Sequence, residues 1–166
     1  ELILLAIDHK LDYDLIKKVA SECFMPLTYG GGVETIDQMR KIYSLGVEKI
    51  VICSHPEIIS EAVKEFGAQS VVQCVNFEYK LPEEVKAGEL FINDVYKDGT
   101  FKGYDLDVIR VAVKNYQMPV IACGGAKTIE DLKSVIKLGA SPAAGSMFIY
   151  HNANREGVLI NFPSKE

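Results

Sequence analysis

Short apolar runs alternate along this chain with stretches whose apolar residues recur every three or four positions. Leu2–Ile7 is a continuous apolar run, as expected of a strand covered on both faces. Asp12 is placed to cap a helix in which Leu15, Ile16, Val19, Ala20 and Cys23 share one face. Leu27–Tyr29 reads as a second strand. Thr35 then opens a helix, with Gln38 three residues on in a capping-box pattern; Ile36, Met39, Ile42 and Tyr43 form its apolar stripe and Gly46 stops it. Lys49–Cys53 is a strand, and Pro56 suits the first turn of a helix ending near Phe66–Gly67. Ser70–Val75 and Leu90–Asp94 are further strands. Asp105 caps a helix running to about Tyr116, Val120–Ala122 is a strand, and Thr128 with Asp131 repeats the capping pattern of a helix that ends at Leu138–Gly139. A last strand is expected over about Ala143–Ser146.

Seven strands separated by helices imply a parallel α/β sheet with right-handed crossovers. Two closures compete: an open doubly wound sheet, and a (β/α)8 barrel lacking one unit. An internal repeat decides between them. "MPLTYGGGVETI" at 25–36 returns as "MPVIACGGAKTI" at 118–129, a constant offset (118 − 25 = 93). Across 25–54 and 118–147, Met, Pro, Gly, Gly, Thr, Ile, Leu and Gly recur in register. A doubled half-barrel predicts this and an open sheet does not. The connection "NFEYKLPEEVKAGE" is short for a parallel crossover and Pro82 interrupts it. Either residues are absent there, and also near "DHKLD" at 8–12, or the barrel is truly shortened. The whole chain, 1–166, is read as one partial barrel domain, beginning with Glu1 inside a longer sequence.

The glycines carry the chemistry. Gly30, Gly31 and Gly32, and again Gly124 and Gly125, lie between a strand and a capped helix, where a barrel binds its ligands. Glycine permits positive φ and close approach of a ligand, and the free N–H groups at such a turn suit an anion. Phosphate is the expected guest, and two such turns suit a substrate with a phosphate at each end; the alternative is that the glycines only make tight turns. In "YKDGTFKGYD" (96–105), Asp98 is either an acid/base residue or a turn holder, and Lys97 either attracts phosphate or is a solvated loop lysine. Small residues in "PAAGSMF" (142–148) leave room for a phosphate, and Ser146 offers a hydroxyl donor.

Composition narrows the classes. With 166 residues, 48% hydrophobic and 25% charged, the chain has material for a core. The net charge of −5 and the scatter of Lys and Arg argue against a nucleic-acid surface. "LILLAI" is too short to span a membrane or to serve as a signal segment. Cys23, Cys53, Cys74 and Cys123 form no C-x-x-C pair, so reduced thiols of a cytoplasmic protein are expected; Cys53, Cys74 and Cys123, at or near strand ends, are read as small apolar filling, with a thiol nucleophile as the alternative. His9, His55 and His151 lack metal-like spacing; no metal or cofactor is expected, and His55 is expected to help cap the helix after it. Glu34 and Lys127 hold matched places after the glycines and are expected to be exposed.

The motifs "MPLTYGGGVETI", "KDGTFKGYDLDVIR", "PVIACGGAKTIEDL" and "AAGSMF", taken in order, resemble the cyclase subunit of imidazole glycerol phosphate synthase, HisF. The likeness runs from Glu1 to about His151. It implies a (β/α)8 barrel with its first βα unit, which carries a catalytic Asp, outside this sequence. It further implies two phosphate sites and ammonia delivered through the barrel from a glutaminase (HisH-like) partner in a heterodimer, docked at the N-terminal ends of the strands. By position, Gly32 with Cys53–Ser54 would form one phosphate site, with Gly31 beside them. Asp98, Gly99, Gly125, Gly145 and Ser146 would form the other, with Gly124. This chain departs from the family pattern at three places. Asn76 stands where a second catalytic Asp is usual, Ala6 where the family usually has Asp, and Cys53 where it favours Asn. An amide takes up no proton near neutral pH, so Asn76 cannot be a carboxylate base. The tail "EGVLINFPSKE" resembles a HisF-like branch linked to sugar amidation, which passes ammonia to a separate sugar amidotransferase. Three readings follow: an ammonia-channelling subunit for a surface-glycan sugar, a histidine-pathway cyclase (lyase), or a non-catalytic phosphate-binding scaffold that activates a glutaminase.

Overall fold

A computed structural model of the chain describes residues 1–8, 10–78, 80–150 and 154. Its elements are β1 (Leu2–Leu5), α1 (Tyr13–Glu22), β2 (Leu27–Gly30), α2 (Ile36–Ser44), β3 (Lys49–Ile52), α3 (Ile59–Phe66), β4 (Val71–Phe77), β5 (Glu89–Asp94), α4 (Leu106–Asn115), β6 (Val120–Cys123), α5 (Ile129–Lys137), β7 (Ser141–Ala143) and the short α6 (Ser146–Ile149). The chain divides into two compact units, Glu1–Cys74 with Glu84–Glu89, and Val75–Glu83 with Leu90–Glu166.

In the first unit β1, β2, β3 and β4 pair in chain order, all parallel: Leu4 lies against Tyr29, Tyr29 against Ile50, and Ile50 against Val71. The core between these strands and their helices is built from Ile16, Leu27, Tyr29, Met39, Ile42, Ile50, Ile59, Ala62 and Val71. In the second unit β5, β6 and β7 pair in the same parallel sense, with Phe91 against Ile121 and Ala122 against Pro142. Here the buried residues include Leu90, Phe91, Ile109, Ala112, Val120, Ala122 and Val135. Alternating parallel β and α elements place the molecule in the α/β class that the apolar pattern predicts.

The helix starts follow local side-chain chemistry. Asp12 accepts from the Leu15 N–H and Asp105 from the Val108 N–H. Both capping boxes form, Thr35 with Gln38 and Thr128 with Asp131, each satisfying N–H groups that a helix leaves free at its first turn.

The structure corrects three expectations. The first strand ends at Leu5, and its Leu2 and Leu5 side chains are 41% and 42% exposed rather than covered, because β1 lies at the end of the strand order and, among the described residues, pairs with β2 alone. On α1 only Ile16 is buried, and Leu15 turns outward. As the short, Pro82-interrupted connection leads one to expect, no helix joins β4 to β5 among the described residues; Gln73 ties the connection down by accepting from the Lys86 N–H and donating to the Glu84 carbonyl. The last strand is Ser141–Ala143, not Ala143–Ser146. It ends where its ladder to β6 ends, at Cys123–Ala143, and Ser146 already begins α6.

Candidate anion-binding turns and their surroundings

In the first unit the chain leaves β2 through Gly31 at φ +96° and Gly32 at φ +70°. A Cβ on Gly31 would run into the Ala6 carbonyl oxygen, so this glycine is required by close backbone approach as well as by its dihedral angle. The turn forms one wall of a cavity of about 240 Å³, lined by Gly31, Gly32, Val33, Glu34, Val51, Cys53, Ser54 and His55. Gly31, Gly32 and Ser54, distant in sequence, are thus brought together. The N–H groups just before α2 are taken up at the capping box: Glu34 and Thr35 N–H both donate to Gln38 Oε1, at 2.7 and 3.0 Å.

His55 does not cap the helix after it. It precedes a single 3-10 turn, Pro56–Ile58, and makes no capping bond. Its Nδ1 lies 2.9 Å from Glu57 Oε1, and its Nε2 lies 3.9 Å from Glu34 Oε1. Pro56 offers no N–H to cap, and a carboxylate two residues on is the stronger partner.

In the second unit Gly124 (φ +109°) and Gly125 (φ +92°) make the matching turn after β6. A Cβ on Gly124 would come within 2.6 Å of the Asp94 carbonyl oxygen, and one on Gly125 would strike the Gly103 carbonyl. The Gly103 N–H in turn donates to the Gly125 carbonyl at 2.7 Å, and Tyr104 Oη donates to the Ala143 carbonyl at 2.8 Å. The loop carrying Asp98 therefore folds over the β6 turn and is tied to the end of β7. Asp94, buried, holds this loop: its carboxylate accepts from the Tyr96 and Lys97 N–H groups, and its carbonyl from Lys97 and Asp98. The turn-holding job considered for Asp98 thus belongs to Asp94. Asp98 is exposed. Gly99 follows at φ +69°. Burial, and then the Asp98 charge, push the Cys123 thiol up to about 11, against a hydrogen bond from the Gly124 N–H, so Cys123 is a neutral thiol at pH 7. Lys97 is half-buried, and its Cβ would lie 3.1 Å from a Cβ on Gly125. Gly145 stands in open space at the start of α6, next to Ser146. Glu34 and Lys127 are both exposed.

At the end of β4, Asn76 accepts a hydrogen bond from Asn93 Nδ2 at 3.2 Å. The four cysteines form no disulfide, and no cluster of three metal-ligating side chains occurs among the described residues. No described helix is long and apolar enough to cross a membrane. His9 and His151 lie outside the described residues, as does the tail after Asn154.

Sequence reasoning missed one cluster. At the N-terminal ends of the strands, Lys49 Nζ lies 2.7 Å from Glu89 Oε1 and 3.3 Å from Glu1 Oε2, and Thr28 Oγ1 donates to Glu1 Oε1 at 2.5 Å. Partial burial draws the Lys49 ammonium down, but Glu89 and Glu1 outweigh it and hold it above its ordinary value. Glu89 Oε2 is buried without a hydrogen-bond partner among the described residues. The available signal was a charged residue at the very start of three otherwise apolar strands.

The family model described as histidine biosynthesis protein matches residues 4–85 and 78–154. A Pseudomonas aeruginosa protein provisionally named imidazole glycerol phosphate synthase subunit hisF2 is 37% identical, with 98% of this chain and 79% of that protein aligned. A Leptospira interrogans protein provisionally named as subunit HisF of the same synthase is 36% identical over 93% of this chain and 73% of its own length. The Dictyoglomus thermophilum imidazole glycerol phosphate synthase subunit HisF is 32% identical, over 81% of this chain and 66% of its own.

Proposed function

This chain belongs to the histidine biosynthesis protein family, a TIM-barrel family, as a HisF-type subunit of the imidazole glycerol phosphate synthase kind, and on that premise we propose that it accepts ammonia from a glutaminase partner and passes it on for amidation of a surface-glycan sugar. The observation that carries this reading is Asn76. It occupies the end of β4, where the HisF resemblance calls for a carboxylate, and its carbonyl is engaged by the Asn93 amide. An amide held by another amide can orient a ligand but cannot take a proton from one. Ring closure by general acid–base catalysis therefore lacks the carboxylate expected at the end of β4, and Asp98 is the candidate proton-transfer group proposed within this chain. Gly31, Gly32 and Ser54 are the proposed phosphate contacts of the first unit, and Gly99, Gly124, Gly125, Gly145 and Ser146 those of the second.

The Glu1–Lys49–Glu89 cluster supports the ammonia route. A partly buried ion group stabilises a fold little better than apolar residues of the same shape. Its place at the N-terminal strand ends, away from the Gly31–Gly32 turn, fits the entry of a small polar molecule. Phe24 is fully exposed just before β2 and offers the glutaminase an apolar anchor.

Turnover of the imidazole glycerol phosphate synthase substrate with ammonium salt tests the assignment. The expected result is no cyclase product, with restored sugar amidation when the chain is supplied with its glutaminase and a sugar amidotransferase. Rapid cyclisation would establish instead the histidine-pathway cyclase, the reading favoured by the names of the relatives. The ammonia route has its own test: Lys49→Met is expected to lower glutamine-driven amidation at least tenfold while leaving amidation driven by added ammonium nearly intact.

A further inference from the structure

His55 projects into the cavity formed by Gly31, Gly32 and Ser54 with a carboxylate on either side of its ring. We infer that His55 binds the anion of this cavity as an imidazolium, its Nδ1–H fixed by Glu57 and its Nε2–H given to the anion, so that anion binding is coupled to proton uptake. The inference rests on the phosphate-binding reading of this turn.

The geometry fixes which nitrogen changes. Glu57 is an acceptor only, and at 2.9 Å from Nδ1 it requires the hydrogen to sit there. In the neutral ring Nε2 is then a lone pair, and a lone pair repels an anion. A proton from solvent on Nε2 converts it into a charge-assisted donor without moving the ring. The nearest carboxylate on that side, Glu34, is 3.9 Å away, beyond hydrogen-bond reach, and its side chain is 60% exposed, so it can swing into water when an anion arrives. The titratable groups facing His55 are Glu57 from its own segment, Glu34 from the turn before α2 and Cys53 from the end of β3. An anion at Nε2 favours the imidazolium, and by linkage the proton strengthens anion binding by the same factor. No glycine or serine donor in the turn supplies such a dependence, since backbone N–H and hydroxyl groups keep their protons.

Inorganic sulfate, whose charge is constant over the working range, is the probe. The His55 Cε1–H signal is followed from about pH 5.5 to about pH 8, around the ordinary imidazole value, with and without sulfate. Gly31, Gly32 and Ser54 amide signals report occupancy of the same cavity. The expected result is that the amides shift and the His55 midpoint rises by about one unit, equivalent to about a tenfold loss of sulfate affinity on deprotonation. In His55→Gln the amides should still shift, with an affinity independent of pH. Amide shifts with an unmoved His55 midpoint would overturn the inference and leave the anion cradle standing. A moved midpoint with silent amides would also overturn it, since the ion would then lie outside the cavity. Silence of both would overturn the cradle and the inference together.

Discussion

The two glycine turns are copies in sequence and differ in what surrounds them. Each follows a parallel strand, carries two successive glycines at positive φ, and opens a helix through a Thr capping box; the helices end on Leu45–Gly46 and Leu138–Gly139. In the first, the box is closed by neutral Gln38, and the turn faces a cavity with Ser54 and His55 on its far side. In the second, the box is closed by Asp131, and the loop of Asp94–Tyr104 lies directly over the glycines. Duplication has preserved the backbone device, which is set by dihedral angles and short-range caps. The side chains around it have diverged, and they decide what charge each turn tolerates.

The largest effect is expected where glycine is needed for space. Gly31→Ala and Gly124→Ala each combine a positive φ with a collision against a main-chain carbonyl, and each should lose about 3 kcal/mol or more in chemical denaturation. A near-neutral result at either site would show that the turns are not equivalent in packing. Removing the caps separates the copies less. Thr35→Ala and Thr128→Ala should each cost about 1 kcal/mol, read from the same denaturation curves.

Acid should distinguish the copies. Partial burial raises the Asp131 carboxyl, but bonds from the Thr128 N–H and hydroxyl and from the Lys127 N–H outweigh this and hold it below the ordinary 3.8. A depressed carboxyl stabilises the fold above its unfolded value and loses that contribution as pH falls through the folded one. The stability advantage of the parent chain over Asp131→Asn should therefore be full near pH 6 and shrink below about pH 4. Gln38→Glu should import the same acid dependence into the first turn. Smallest of all, Gly145→Ala should change stability by less than about 0.5 kcal/mol, because its φ is −119° and a methyl there meets nothing.

Much of this organisation was legible in the sequence because its causes are local. A cap spans three residues, a glycine turn two, and an apolar run the length of its strand, so the β/α order, both capping boxes and the repeat could be read directly. What escaped was set by partners far along the chain. Leu2 and Leu5 look buried in sequence, yet their exposure depends on what lies beside the strand. The carbonyls that make Gly31 and Gly124 obligatory come from Ala6 and Asp94. Asp94 and Asp98 share one loop, and only the fold shows which of them holds it. Lys49 finds Glu1 and Glu89 at separations of 48 and 40 residues. His55 meets Glu57 two residues away, yet only the fold shows that its ring faces Gly31 and Gly32.

The obstacle in front of Gly31 is a carbonyl oxygen, and every amino acid at position 6 carries one. A second-site suppressor of Gly31→Ala therefore cannot arise by trimming a neighbouring side chain. Selection for revertants should return glycine itself, or changes elsewhere that shift the end of β1 as a whole.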